Sequence, residues 1–220
     1  MDMGRLNVVR METSQVEFLG KVLSRAFYNE PSVRYMMPDE LVRRSWLPWF
    51  FSSVVIRASQ LYGEIYTTAN IEGGALWISP GRAFTFGRIV RTGILAVPFK
   101  LGRGSFKRCM NLTARVEKVH KRLAGRPHWY LAVHGVEPSR RGKAVACALI
   151  EPVLSRADSD GLPCYLETFD PRDLPFYEEL GFQIAGAGSI PRGGPDFWAL
   201  MKRPRGFHLH SFEDNFGCAA

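Results

Sequence analysis

The chain has 220 residues, a formal net charge of +8, 46% hydrophobic and 23% charged residues, which is ordinary for a globular protein. This length favours one domain with a substantial core. No apolar run approaches the roughly 20 residues that a transmembrane helix needs, and the N-terminus lacks the apolar segment of a signal peptide. We therefore expect a soluble protein without a membrane partner.

The cysteines are scattered without the spacing of a metal site or a redox motif, which predicts that no metal is bound and favours a reduced, cytoplasmic setting. They are Cys109, Cys147, Cys164 and Cys218.

The first part of the chain predicts one edge strand, two helical regions and a hairpin. The strand covers residues 6–11, the helices residues 16–27 and 38–60, and the hairpin strands residues 64–68 and 74–78. Pro48 is expected to kink or split the second helical region, because proline cannot continue the regular hydrogen-bond ladder of a helix.

A basic segment follows at residues 82–126, with twelve Lys or Arg and one acid, Glu117. It predicts two helices, at residues 84–97 and 105–124. The charge is interpreted either as a solvated helical face or as attraction for an anionic partner, such as coenzyme A, an acidic substrate, nucleic acid or a membrane surface.

Strand and helix patterns alternate from residue 128 onward, which indicates a mixed α/β sheet. The predicted strands cover residues 128–136, 164–169, 183–187 and 197–202, and the helices cover residues 143–159 and 174–180. Residues 205–220 show little periodicity and are expected to form a C-terminal tail.

A strand, a turn containing Pro138 and then small residues at a helix start predict a phosphate site. Amides in the first turn of a helix have no internal partners and point outward, where the helix dipole is positive. Neither a dinucleotide fingerprint nor a P-loop occurs in the sequence. A plain strand-to-helix turn is the alternative at this point.

The segment from Phe176 to Phe182 is a second motif. Gly181 fits a helix C-cap and Phe182 fits the start of the next strand. These structural roles leave Tyr177 unexplained, so this tyrosine is either a core aromatic or a functional residue.

Residues 141–146 resemble the acyl-CoA loop of the GNAT acetyltransferase superfamily, although Ala144 stands where that family usually has Gly. Residues 176–182 resemble the GNAT signature that follows the fifth strand. Residues 26–31, 75–80, 127–132, 166–168 and 171–177 are similar to the puromycin N-acetyltransferase branch. The likeness spans residues 7–204 and is sparse in the basic segment.

This resemblance implies an α/β (α+β) fold: a GNAT-like mixed, mostly antiparallel twisted sheet of six to seven strands, flanked by helices. It implies one acyl-CoA N-acyltransferase domain over residues 1–204, with the basic segment as a helical insert before the central strand. The strands at residues 128–136 and 164–169 would splay apart to admit the pantetheine arm, and Gly135 suits a bulge or a close backbone approach.

The resemblance also implies acetyl-CoA as co-substrate and a set of residues that bind it. The arm would pair with the backbone of the central strand, the loop would hold the diphosphate, and an aspartate stands where relatives often carry Asn. These residues are His134, Gly135, Val136, Arg141, Gly142, Lys143, Ala144, Val145, Ala146, Cys147 and Asp173.

Transfer of an acyl group to an amine needs a base for the amine and an acid for the departing thiolate. Tyr177 is the candidate acid by its match to the family. Glu167, near the C-terminal end of its strand, is the candidate base, with a structural acid as the alternative reading. His134 is a second candidate base, although its position in a central strand favours a structural histidine.

The sequence therefore predicts transfer of an acetyl group from acetyl-CoA to a primary amine of a small molecule, by direct attack in a ternary complex. The alternatives are a protein or peptide N-acetyltransferase and a non-catalytic acyl-CoA-binding module. Nucleic-acid binding is less favoured, because the basic segment lacks a recognisable reading motif. The sequence does not determine the oligomeric state, and a homodimer is one of the states that it allows.

Overall fold

A computed structural model describes residues 6–81, 94–140 and 142–205. Its centre is a seven-stranded sheet in the order β1-β2-β3-β4-β5-β7-β6. The strands are β1 (Val8–Arg10), β2 (Gly63–Thr68), β3 (Gly73–Ile78), β4 (Trp129–Val136), β5 (Cys164–Thr168), β6 (Gln183–Ser189) and β7 (Asp196–Lys202). Each predicted strand is present, and its ends lie within two residues of the predicted ends.

The pair β4–β5 is parallel, and the other neighbouring pairs are antiparallel. Pairing between β4 and β5 covers only Trp129–Leu131 against Cys164–Leu166. Strand β4 then continues to Val136 along β3 alone. The predicted mixed, mostly antiparallel sheet is confirmed, and its two central strands diverge towards their C-terminal ends.

A register shift in β4 lies at Ala132, because Leu131 pairs with Trp77 while Val133 pairs with Leu76. Gly135, by contrast, pairs regularly with Gly74. A Cβ atom on Gly135 would lie 2.6 Å from a ring carbon of Phe27. Gly135 is therefore required for close packing of a helix against the strand, whereas the bulge occurs three residues earlier.

One face of the sheet is covered by the N-terminal helices. These are α1 (Val16–Ala26), α2 (Pro31–Met36), α3 (Glu40–Trp49), a π-helical segment (Phe50–Ile56) and α4 (Arg57–Tyr62). Pro48 lies inside α3, and the helix changes to π geometry two residues later instead of splitting. Buried apolar residues of these helices pack on Ile65 and Leu76 of the sheet.

The described part of the basic insert is helical and covers the same face further along the sheet. It comprises a 3₁₀ turn (Ile94–Ala96), α5 (Val97–Lys100) and the long α6 (Gly102–Leu123). Val119 of α6 packs with Tyr165 and Phe197. The predicted helix at residues 84–97 lies largely outside the described residues.

The opposite face carries α7 (Lys143–Ser159) and α8 (Leu174–Glu179). Leu149 and Val153 of α7 are fully buried against Trp77, Leu131 and Leu166.

In the described part of the chain, no helix combines the length and the apolar character needed to cross a membrane. Residues 206–220 of the predicted tail lie outside the described residues.

Candidate active site

The gap between β4 and β5 is the centre of the candidate site. The last ladder pair joins Leu131 to Leu166, after which the two strands separate. The β5-facing peptide groups of β4 beyond that point are available to an extended ligand, which can pair with them as an added strand does. His134, Gly135 and Val136 lie on this part of β4.

Tyr177 of α8 borders the gap and is 7% exposed. Its hydroxyl lies 3.2 Å from His134 Nδ1, and His134 Nε2 lies 3.1 Å from the carbonyl oxygen of Ala146. A carbonyl oxygen can only accept, so Nε2 carries the hydrogen and Nδ1 accepts from the Tyr177 hydroxyl. The structure thus brings together three residues predicted for the site and fixes the direction of the phenol hydrogen.

Burial sets the protonation states of this pair. It lowers the pKa of His134 to about 4, because the imidazolium form would lose its hydration. Burial also raises the pKa of Tyr177, and the negative charge of Asp173 adds to the rise. His134 is therefore neutral and Tyr177 is a phenol at neutral pH, which makes His134 a weak base and keeps a proton available on Tyr177.

Glu167 lies on the other face of the sheet. Its neighbour Leu166 packs with Tyr177, and successive strand residues point to opposite sides, so Glu167 shares a face with Tyr165. Burial raises the pKa of Glu167 to about 7, and the hydroxyls of Tyr130 and Tyr165 oppose that rise. Its Oε1 is buried without a hydrogen-bond partner in the described structure. The two predicted catalytic residues thus flank the gap from opposite faces.

Glu30 is a buried carboxyl that the sequence reasoning missed. It caps α2, accepting from the backbone N–H of Val33 at 3.1 Å and from Ser32 Oγ. Burial raises the pKa of Glu30, and the charge of Asp173 raises it further. The available signal was a glutamate directly before a proline that can begin a helix. Ser, Thr, Asp and Asn are the usual N-caps, so a glutamate at this position is unusual.

Asp173 precedes α8, and its carboxylate accepts from Thr168 Oγ1 at 3.1 Å. Its charge raises the pKa of Glu30, on the α1–α2 side of the sheet, and that of Tyr177, on the α8 side. The charge of Asp173 therefore acts on groups of both faces of the sheet.

The predicted phosphate loop leads into the first turn of α7. Gly142 is its N-cap in extended conformation, and as a glycine it has no side chain that could cap the following amides. Lys143 pairs with Glu179 at 2.8 Å. Ala144 is exposed, while Val145, Ala146 and Cys147 are half-buried. Arg141 lies outside the described residues.

This arrangement fits a diphosphate group, because the N-terminus of a 17-residue helix combines backbone amide donors with the positive end of the dipole. Within the described ranges, no group of three or more His, Cys, Asp and Glu side chains is placed to hold a metal.

No family model matches the chain. An uncharacterized N-acetyltransferase of Schizosaccharomyces pombe is 28% identical over 181 residues, which are 79% of this chain and 72% of that protein. This relative supports, at the level of sequence, the acyl-transfer chemistry that the motifs predict.

Solved structures match nearly the whole chain. A structure of histone acetyltransferase HPA2 and related acetyltransferase from Corynebacterium glutamicum has a TM-score of 0.62 at 24% identity, covering 90% of this chain and 96% of its own. Arylalkylamine N-acetyltransferase 2 of Aedes aegypti has a TM-score of 0.58 at 14% identity, covering 91% and 99%. Polyamine N-acetyltransferase of Drosophila melanogaster has a TM-score of 0.57 at 14% identity, covering 89% and 98%. The chain therefore has the fold of the GNAT acetyltransferases.

The buried His134 predicts a loss of stability in acid. The unfolded chain takes up a proton on this residue near pH 6.5, whereas the folded chain does so only near pH 4. As pH falls through this window, the free energy of unfolding should decrease by about 3 kcal/mol more in the wild type than in His134→Gln. Urea denaturation of both proteins at a series of pH values measures the difference. Parallel curves would show that His134 is protonated normally in the fold.

Proposed function

We propose that this protein transfers the acetyl group of acetyl-CoA to a primary amine of a small molecule. The observation that carries the proposal is the Tyr177 hydroxyl, held by His134 beside the gap between β4 and β5. His134 in turn bonds to the first turn of α7, so the phenol and the phosphate-binding helix end are linked through one side chain.

The residues that would hold the co-substrate follow from this geometry. The backbone of His134, Gly135 and Val136 would pair with its pantetheine arm, and the first turn of α7 from Gly142 to Cys147 would bind its diphosphate. Arg141 and Asp173 complete the proposed set. The bound co-substrate supplies an activated acetyl thioester in the gap.

The proposed chemistry uses the two faces of the gap separately. Glu167 takes a proton from the ammonium group of the acceptor, which leaves a nitrogen lone pair that attacks the thioester carbonyl carbon. The N–C bond forms as the C–S bond breaks, and the Tyr177 hydroxyl turns from His134 to donate its proton to the departing sulfur. Backbone N–H groups of β4 stabilise the oxygen as it gains negative charge. A proton then returns to Tyr177 from solvent, while Glu167 and the new amide release theirs.

Burial raises the pKa of Cys164 to about 12 and that of Cys109 to about 11, which disfavours an acyl-enzyme on either of these two thiols. These thiols are therefore poor nucleophiles at neutral pH. A non-catalytic acyl-CoA-binding module would have no need of a buried Glu167 carboxyl whose pKa is raised to about 7.

A small-molecule acceptor is supported by the names of the Aedes aegypti and Drosophila melanogaster enzymes, which refer to arylalkylamines and polyamines. A protein acceptor is the second candidate, since the Corynebacterium glutamicum structure is named for a histone acetyltransferase. The likeness to the puromycin branch, the cytoplasmic location and the homodimer stay predictions.

Binding of the co-substrate is tested by Ala144→Asp. An acid in the first turn suits the helix dipole, so the fold should be retained, but it would repel the diphosphate. We expect the Kd for coenzyme A to rise by about tenfold or more, measured by calorimetry. Ser155→Asp, later in the same helix, is the control and should bind normally. An unchanged Kd in Ala144→Asp would remove this helix end from the site.

The acid role is tested by Tyr177→Phe. Loss of the phenol proton should lower kcat by about a hundredfold, while the Kd for coenzyme A changes little. Tyr66→Phe provides the matched control, because its hydroxyl bonds to Glu64 and Arg156 away from the gap. Turnover followed by release of coenzyme A distinguishes the two variants. Wild-type turnover in Tyr177→Phe would refute the assignment.

The base role predicts a pH dependence. Glu167 must be ionised to accept a proton, so kcat/KM should fall as pH drops through about 7, the pKa of this carboxyl. Glu167→Gln should lower kcat/KM by about a hundredfold and abolish that inflection. If Glu30→Gln abolishes it instead, the base is Glu30 and the assignment of Glu167 is wrong.

A further inference from the structure

A cleft of about 490 Å³ opens between α2 and the loop that joins β6 to β7. Its lining comprises Pro31, Arg34, Tyr35, Pro38, Arg108 and residues 193–195 together with Arg192. We propose that this cleft binds an anionic group, a carboxylate or a phosphate, carried by the acceptor amine. The inference rests on the proposed transferase function and specifies its substrate class.

One hydrogen bond joins the two walls of the cleft, and a second closes the loop that forms one of them. The Tyr35 hydroxyl of α2 donates to the carbonyl oxygen of Pro191 at 3.4 Å. The loop itself is closed by a bond from the N–H of Ile190 to the carbonyl oxygen of Pro195 at 2.9 Å. The cleft is therefore a feature of the packed fold at a boundary between two elements.

Three arginines from separate elements line this cleft. Arg34 comes from α2, Arg108 from α6 and Arg192 from the β6–β7 loop. Arg108 is oriented by neutral groups, since Nη2 donates to Ser105 Oγ at 3.2 Å and Nε donates to the carbonyl oxygen of Met36 at 3.4 Å. None of the three forms a salt bridge with a carboxylate of the described residues.

Three guanidinium groups around one cleft give it a positive potential, which attracts an anion. The guanidinium group presents its donors in a planar fork that matches a carboxylate or a phosphate. An oxyanion is thus the ligand chemistry that this lining recognises.

The backbone of Arg192 provides an independent indication. Its φ is +64°, a left-handed conformation that side chains other than glycine adopt at some cost. Such strain concentrates at functional sites, where it places a side chain that another residue could not replace. A glycine at this loop position would relieve the strain but would leave the cleft without its third guanidinium group.

The cleft adjoins Glu30 along the chain. Pro31 lines the cleft and directly follows Glu30, whose buried carboxyl is acted on by the charge of Asp173. In the proposed acceptor path, the arginines of the cleft therefore come before these two carboxyl groups. A molecule with an ammonium group at one end and an oxyanion at the other matches this order of charges.

Matched pairs of acceptors test the inference in the full-length protein. Tyrosine is compared with tyramine, and O-phosphoethanolamine with ethanolamine, with coenzyme A release as the readout. We expect kcat/KM to be at least about tenfold higher for the anionic member of one pair. The pair that shows the preference identifies the oxyanion as carboxylate or phosphate.

Arginine variants connect that preference to the cleft. The ratio of kcat/KM between the anionic and the neutral member should fall about tenfold in Arg34→Gln and in Arg192→Gln. Arg103→Gln removes an exposed arginine of α6 that does not line the cleft, and should keep the wild-type ratio. A ratio near one for both pairs, or an equal fall in Arg103→Gln, would overturn the inference.

A binding measurement separates this inference from the proposed reaction. Succinate and inorganic phosphate are titrated into the protein at saturating coenzyme A, and binding is followed by calorimetry. Binding that is weakened in the Arg34→Gln, Arg192→Gln double variant supports the cleft even if no amine is acetylated. Acetylation of amines without any preference for anionic acceptors would refute the anion-binding cleft alone. If no anion binds and no amine is acetylated, both the cleft and the proposed transferase function are refuted.

Discussion

The short parallel pairing of β4 with β5 is the constraint on which the candidate site depends. The two strands share only three residue pairs before they separate, and the register shift at Ala132 falls where the separation begins. Beyond that point β4 is held from one side by β3, so its other edge is open to a ligand. Tyr177 and Glu167 are proposed for the site because they lie on opposite faces of the sheet beside this gap.

Burial shifts the pKa values of three groups around the gap. It disfavours the charged form of each, so it lowers the pKa of His134 and raises the pKa of Tyr177 and Glu167. The result is a neutral imidazole, a phenol that keeps its proton and a carboxyl that can exchange a proton near neutral pH. One physical cause thus sets the protonation states on which the proposed roles of orienting group, acid and base depend.

The distribution of charge along the proposed acceptor path is equally specific. The inner end is acidic through Glu30 and Asp173, while the outer cleft is basic through Arg34, Arg108 and Arg192. The basic insert contributes Arg108 to this cleft and packs its long helix against the sheet. At least part of its positive charge therefore lies at the proposed substrate entrance, whereas the sequence left open a solvated face.

The sequence by itself determined the strands and most of the helices in their order, although the helix Pro31–Met36 was not predicted. Local periodicity and turn chemistry predicted the helix Lys143–Ser159 at both ends, the strand that begins at Cys164 and a mixed α/β sheet, because these signals are carried by neighbouring residues. The resemblance to the GNAT family implied six to seven strands, and the sheet has seven. Family motifs also pointed to Tyr177, Glu167 and the loop before α7. Only the tertiary structure decided that His134 orients Tyr177, that Glu30 is buried beside Asp173, and that arginines from α2, α6 and the β6–β7 loop share one cleft. Residues far apart in the chain make these contacts, and burial depends on all the elements packed around a group, so no local pattern encodes them.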